Sequence, residues 1–274
     1  MKKLSILGVL LLTAFTTFSQ SFEGTIKWSM KMDITDPATK AKMEEAQKKM
    51  NDPATQAKMK EMQAKMNDPQ MKAMMDANPQ MKAQMEAAMK VMAGGDINAM
   101  IPKGMMVKLK NDNSLVTMDG GMMDKSQILY LKDKDQSIHI DNTNKTYSIM
   151  NSKSTTSTNE PQTKVTKTSE TKKILTYTCT KYIVESTSPN GKTVQQLFWT
   201  TKDITVDMKN LSKHNAGSGH RFFYDNIEGV PLQIEMSMPE GKMTMEATEI
   251  KKESLSTSLF QIPAGYKEVK GGGF

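Results

Sequence analysis

From Phe22 to Ile34 apolar side chains fall at alternate positions, with Phe22, Ile26, Trp28, Met30, Met32 and Ile34 on one side and Lys27, Ser29, Lys31 and Asp33 on the other. A period of two predicts a long strand with one buried face. The alternation stops at Thr35-Asp36-Pro37. From there to Ala93 the chain holds no Phe, Tyr, Trp, Leu or Ile, while Ala, Lys, Gln, Glu and Met fill the interval. Those residues favour helix. Asp36-Pro37, Asp52-Pro53 and Asp68-Pro69 recur at equal spacing, followed by Asn78-Pro79. Each pair marks a helix start, because the Asp or Asn side chain accepts from the orphan amides of the first turn and Pro is preformed for the first helical position. Pro also disfavours helix in the residue before it, so several short helices, or one strongly kinked one, are expected over 36–95. Gly94-Gly95 closes this insert.

Beyond Lys103 short alternating runs return. They predict strands at Met105–Lys110, Ser114–Met118, Gln127–Leu131, Ser137–Asp141 and Lys145–Met150, separated by Asn, Asp and Gly turns. Residues 151–165 read as an exposed Ser/Thr-rich loop. Further strands are predicted at Tyr177–Glu185, Thr193–Thr200, Arg221–Asn226, Val230–Met238 and Lys242–Lys251, with hairpin turns at Ser188–Gly191 and Pro239–Gly241. So many successive strands interrupted by one helical block predict an α+β fold: a curved antiparallel β-sheet, a half-barrel, with a Met-rich helical insertion after the first strand that packs across its concave side. Residues 20–270 then form a single domain, and 271–274 a flexible tail.

The opening has a different character. Lys2-Lys3, an apolar run from Leu4 to Phe18, and small residues at Thr17 and Ser19 have the form of a cleaved secretory signal over residues 1–19. The expected location is therefore periplasmic or secreted, with no transmembrane segment in the mature chain, since the apolar run is shorter than the roughly 20 residues a membrane span needs. Cys179 is the single cysteine, which excludes an intramolecular disulfide. The formal charge of +7 is spread through the chain and not gathered into a stripe, so nucleic acid is not an expected partner.

Composition changes the picture at one residue type. Methionine supplies 27 of 274 residues. Within the insert, Met59, Met62 and Met66 share one helical face, as do Met81, Met85, Met89 and Met92, while Met71 and Met74 form a further pair. Three roles compete for these faces. They pack on the sheet as flexible filler, they offer an adaptable surface to an apolar ligand or partner, or they hold a soft ion such as Cu(I) or Ag(I) through their thioethers. Packing alone leaves the absence of Leu and Ile unexplained. The soft-ion role lacks any His or Cys in the insert to support it.

Other chemistry is sparse. His214 and His220 flank a Gly-rich linker and read as two unrelated histidines of an exposed loop, short of the four ligands of a structural zinc site. Cys179 reads as a buried thiol, and Asp133 and Asp135 as turn residues. No nucleophile elbow, HExxH helix, phosphate loop or dinucleotide fingerprint occurs, so no catalytic residue, metal ligand or cofactor is expected, and a hydrolase is a distant alternative.

Four short words carry a resemblance: Cys179-Thr180-Lys181-Tyr182, Phe198-Trp199-Thr200-Thr201-Lys202-Asp203-Ile204, Gly229-Val230-Pro231-Leu232-Gln233-Ile234, and Leu259-Phe260-Gln261-Ile262-Pro263-Ala264-Gly265-Tyr266. Their order resembles a domain-of-unknown-function family of exported bacterial proteins with a Met-rich helical insert, itself similar to the LolA/LolB-type lipoprotein carriers. The resemblance implies a half-barrel that holds acyl chains under a helical lid. Arg221 is the only arginine, so the arginine of such carriers has no counterpart that can be placed. The combined expectation is a non-enzymatic envelope protein that binds or carries a lipid-like ligand or an apolar protein segment. Its ligand-binding residues are Met59, Met62, Met66, Met71, Met74, Met81, Met85, Met89, Met92, Trp28 and Trp199.

Overall fold

The computed structural model describes residues 21–66, 68–69, 101–121, 124, 126–150, 162–187, 191, 193–215 and 222–269. Its strands are β1 (Gly24–Ile34), β2 (Pro102–Lys110), β3 (Asn113–Gly120), β4 (Gln127–Leu131), β5 (Gln136–Asp141), β6 (Thr146–Met150), β7 (Gln162–Ile174), β8 (Tyr177–Thr187), β9 (Thr193–Thr201), β10 (Val230–Met238), β11 (Gly241–Lys252) and β12 (Lys267–Glu268). All lie in one open, curved sheet of order β12-β6-β5-β4-β3-β2-β1-β11-β10-β9-β8-β7. Every pairing is antiparallel except β12 with β6. The first strand sits at the centre, where Gly24 pairs with both Leu109 and Lys252.

Strand alternation divides the side chains between two apolar layers. On one face Ile26, Val107, Val116, Val184, Phe198, Ile234, Met236 and Met245 form the larger core. It is closed by the β9–β10 connection over residues 202–229, which contributes Ile204, Met208, Leu211, Phe223, Tyr224 and Ile227, all buried. The opposite face carries Leu115, Leu129, Ile138 and Ile140 under Leu255 and Phe260, with Leu259, Ile262 and Tyr266 packed alongside. The Leu259–Tyr266 word is thus a structural plug for the second layer, and the chain then leaves it to pair β12 with β6.

Helix α1 (Pro37–Asn51) starts as its sequence requires: the Asp36 carboxylate accepts from the Thr39 amide at 2.6 Å. In α2 (Pro53–Met66) Asp52 accepts from the Thr55 amide at 3.0 Å. The first two Asp-Pro pairs therefore start helices as expected, while Asn78-Pro79 and the run after Asp68-Pro69 lie outside the described residues. The insert's role over the core does not follow. α1 buries no residue, since Lys and Glu recur on every side of it, and among the described residues the cover over the large apolar face comes from 202–229. That segment contains its own short helix, α3 (Met208–Ser212), capped by Asp207.

Two further boundaries differ. β7 begins at Gln162, inside the stretch read as loop, because an edge strand needs few large apolar residues and Thr, Lys, Ser and Glu suffice for a ladder paired on one side. Conversely, Phe222–Asn226 forms no strand: Phe223 and Tyr224 point down onto the core from the cover. Residues 1–20, 70–100, 151–161 and 270–274 lie outside the described residues, and with them the signal, the later part of the insert, most of the Ser/Thr-rich loop and the tail.

Gly229 ends the cover at φ +83°, and an added Cβ would stand 2.2 Å from the Thr201 carbonyl oxygen. Gly229→Ala therefore combines left-handed strain with a backbone clash. A loss of about 2–4 kcal/mol in urea unfolding is expected; an unchanged midpoint would show that the backbone relaxes at no cost.

Candidate functional site

The methionines of β1 and β11 and their strand neighbours gather at one end of the covered face. Strand register aligns Met30 with Met245, Met32 with Met243, Met243 with Met236, and Met105 with both Trp28 and Met118. Met105, Met236 and Met245 are buried, forming a floor, while Met30, Met32, Met118 and Met243 are half-buried. A few residues away the same face uses Ile26, Val107, Val116, Leu232 and Ile234. Alternation sends Lys31, Asp33, Lys242 and Thr244 to the other side of the sheet, so this end is apolar and free of formal charge along β1 and β11. The strand ends that flank the insert in sequence are Ile34 of β1, paired with Gly241, and Pro102 of β2, paired with Gly120.

The border with the cover is polar and specific. The Tyr224 hydroxyl donates to Gln196 Oε1 at 2.7 Å, and Gln196 Nε2 in turn donates to the Met236 sulfur. Trp28 lies under the cover, with Nε1 donating to the Pro231 carbonyl at 3.0 Å and its ring edge-on to Phe223. Trp199, adjacent to Phe198 in β9, faces the other way, where Lys172 Nζ sits 4.1 Å from its ring centroid and Lys181 5.8 Å. The two tryptophans expected to share a cavity are therefore on opposite faces. Met59, Met62 and Met66 lie on α2, but their side chains, and Met71, Met74, Met81, Met85, Met89 and Met92 altogether, lie outside the described residues.

At the far end of the cover, α3 docks on β3 and β4. His214 Nε2 lies 2.6 Å from Ser114 Oγ, and the Tyr130 hydroxyl lies 2.9 Å from Asp135 and 3.2 Å from Asn210 Oδ1. Burial pushes the His214 imidazole down to about 3, keeping it neutral, and burial aided by Asp135 raises Tyr130 to about 12. The histidine read as part of an exposed loop is a latch instead. Its Nδ1 is buried without a partner among the described residues, and Ser114 is only 1% exposed, so the pair has the spacing of nucleophile and base but neither an orienting group nor access. Cys179 is buried as expected, and desolvation lifts its thiol to about 11, away from the reactive thiolate.

A salt-bridge cluster pins the cover's other end. Glu228 receives Lys167 at 2.8 Å, Lys202 at 2.6 Å and the Tyr182 hydroxyl at 3.1 Å, and those donors hold its carboxyl down at about 2. A depressed carboxylate stabilises the fold above its unfolded value and loses that contribution as pH falls through the folded one. Glu228→Gln is accordingly expected to lose stability at neutral pH and to show a flatter decline between about pH 4.5 and pH 2 in acid titration followed by circular dichroism. Matching acid limbs for the two proteins would refute the assignment.

The chain matches a family described as a domain of unknown function, DUF4412, over residues 97–266. It belongs to that family. The DUF4412 span holds β2 to β11, the cover and the C-terminal plug, and leaves β1 and all but the last residues of the interval before β2 outside. No curated protein sequence matches the chain. Among solved structures it is similar to the LolA superfamily protein NE2245 from Nitrosomonas europaea, at 16% identity, over 58% of this chain and 80% of that one, with a TM-score of 0.25. A domain named for outer membrane lipoprotein sorting, from Vibrio parahaemolyticus, is similar at 12% identity over 57% and 80%, with a TM-score of 0.17. Among the described residues no helix is long and apolar enough to cross a membrane, and no cluster of His, Cys, Asp and Glu could hold a metal.

Proposed function

We propose that this DUF4412 protein is a non-enzymatic binder or carrier in the cell envelope, taking a lipid-like molecule or an apolar protein segment on the methionine-lined end of its covered face. One observation supports this above all. The cover closes one end of the apolar face, while at the other end Met30, Met32 and Met243 remain half-buried above a buried methionine floor. Unbranched thioether side chains re-pack around guests of different shape at little cost, unlike the β-branched residues that fill the closed end. The cover holds the closed end through buried Ile204, Leu211, Phe223 and Ile227 and through polar contacts at its ends, which leaves the methionine end as the adaptable part of the face.

The test is uptake of a fluorescently labelled long-chain fatty acid by the purified full chain, beside a Met32→Lys, Met243→Lys variant. Two unpaired ammonium groups on the apolar surface oppose any oily guest. The variant is expected to bind at least about tenfold more weakly, an effect equal to about 1.4 kcal/mol. Failure of the unmodified chain to take up the probe, or equal uptake by both, would overturn the proposal.

A further inference from the structure

We propose that the four methionines Met30, Met32, Met243 and Met245 form a thioether site for a soft monovalent ion, Cu(I) or Ag(I), at the centre of the sheet. This goes beyond apolar-ligand binding and does not depend on it. The argument starts from register. Met30 pairs with Met245 and Met32 with Met243, so the four stand at the corners of one square on the same face of two adjacent strands. Directly opposed side chains on antiparallel strands have Cβ atoms about 4.5–5.5 Å apart, and the diagonal neighbours about 7–8 Å. Each methionine places its sulfur at the end of two freely rotatable bonds, and a third turns the terminal methyl aside, so sulfurs from such positions can converge on one ion at the roughly 2.3 Å typical of metal–sulfur bonds.

Chemistry then selects the ion. Thioethers are soft, neutral ligands that favour Cu(I) over hard cations. Lys31, Asp33, Lys242 and Thr244 point to the opposite face, so no carboxylate or ammonium of β1 or β11 competes for the site. Met236, the fifth methionine of the group, has its sulfur engaged by Gln196 and is left out. Packing does not require this choice of residue. Half-buried strand positions favour β-branched and aromatic side chains, which this same face uses at Ile26, Val107, Val116, Val184, Phe198 and Ile234 toward its closed end. Half-burial of Met30, Met32 and Met243 gives an ion a way in, and buried Met245 gives it a dry floor.

The experiment is anaerobic titration of the full chain with Cu(I) in competition with a chromogenic chelator. It compares the unmodified chain with Met30→Leu, Met32→Leu, Met243→Leu, Met245→Leu combined. Leucine keeps apolar volume and removes sulfur. The insert methionines are the same in both proteins, so the expected result is one equivalent of Cu(I) fewer in the variant, with an unchanged far-ultraviolet circular dichroism spectrum showing that the fold is kept. Equal stoichiometry, or no withdrawal of Cu(I) from the chelator by the unmodified chain, overturns the site. If the fourfold variant does not fold, Met32→Leu and Met243→Leu singly are each expected to weaken the tightest site at least tenfold, and unchanged affinity in both overturns it equally. Loss of fatty-acid uptake with Cu(I) binding intact in the lysine variant, which lacks two of the four thioethers, would overturn the ion site and leave the apolar-ligand reading standing.

Discussion

Trp28→Ala is expected to unfold about 3–5 kcal/mol more easily than the unmodified chain, which for a domain of ordinary stability leaves little fold at all. Trp28 is 3% exposed and is the one aromatic side chain of β1 beneath the cover, with Phe223 edge-on at 6.2 Å between ring centroids. Removing it opens a cavity at the centre of the sheet and strands the Pro231 carbonyl that accepts its indole N–H. Trp28→Phe refills much of the space and restores no donor, so it should lose about half as much. Urea unfolding followed by circular dichroism measures both. Loosening the cover also exposes its lysines, and limited trypsin digestion should cut first after Lys209 or Lys213. Equal stability of the Ala and Phe variants would mean that the indole is not the keystone claimed.

The second large effect is on pH. His214 is neutral in the fold, because burial depresses it from 6.5 to about 3, whereas in the unfolded chain it takes up a proton near 6.5. The unfolded state therefore binds the extra proton throughout that window. Stability is complete above about pH 6.5 and falls by about 1.4 kcal/mol for each pH unit below it, until the folded group also titrates near 3. The buried neighbours Ser114, Tyr130 and Asn210 offer no carboxylate to the ring, and Asp135 is engaged by the Tyr130 hydroxyl and the Lys213 ammonium. His139, also depressed by burial, adds in the same direction. His214→Gln should remove one proton from the slope while losing some stability at pH 7, because the Ser114 contact is disturbed. Urea midpoints at pH 5 and pH 7 decide it: a variant as acid-sensitive as its parent would place the titration elsewhere.

Much of this architecture is legible in the amino-acid order, and the gaps have identifiable causes. Strong alternation in β1, β8 and β11, together with Asn, Gly and Pro turns, marks most ladders within a residue or two. The Asp-Pro pairs mark the helix starts. β7 escapes because Thr, Lys and Ser on an edge look like a loop, and Phe222–Tyr224 misleads because aromatic density suits a strand and a cover alike. The sheet methionines were visible as alternation within β1 and β11 separately. Their union depends on a pairing between the two ends of the chain that no local pattern contains. The insert holds the denser methionine pattern, with a helical period, and the smaller set shares a ladder only in three dimensions. For Trp199, the rule that neighbours in a strand face opposite ways was available, but which face is covered was not.

The central place of β1 also governs how the molecule comes into being. A strand made first and joined to one made nearly last, Gly24 against Lys252, must wait with its ladder unmatched while the whole intervening polypeptide is produced. Assembly is thus obliged to be late and all at once. A protein shortened before Gly241 would lack not an outlying strand but the seam that joins its two halves, and shielding of the waiting segment from aggregation becomes part of its biology.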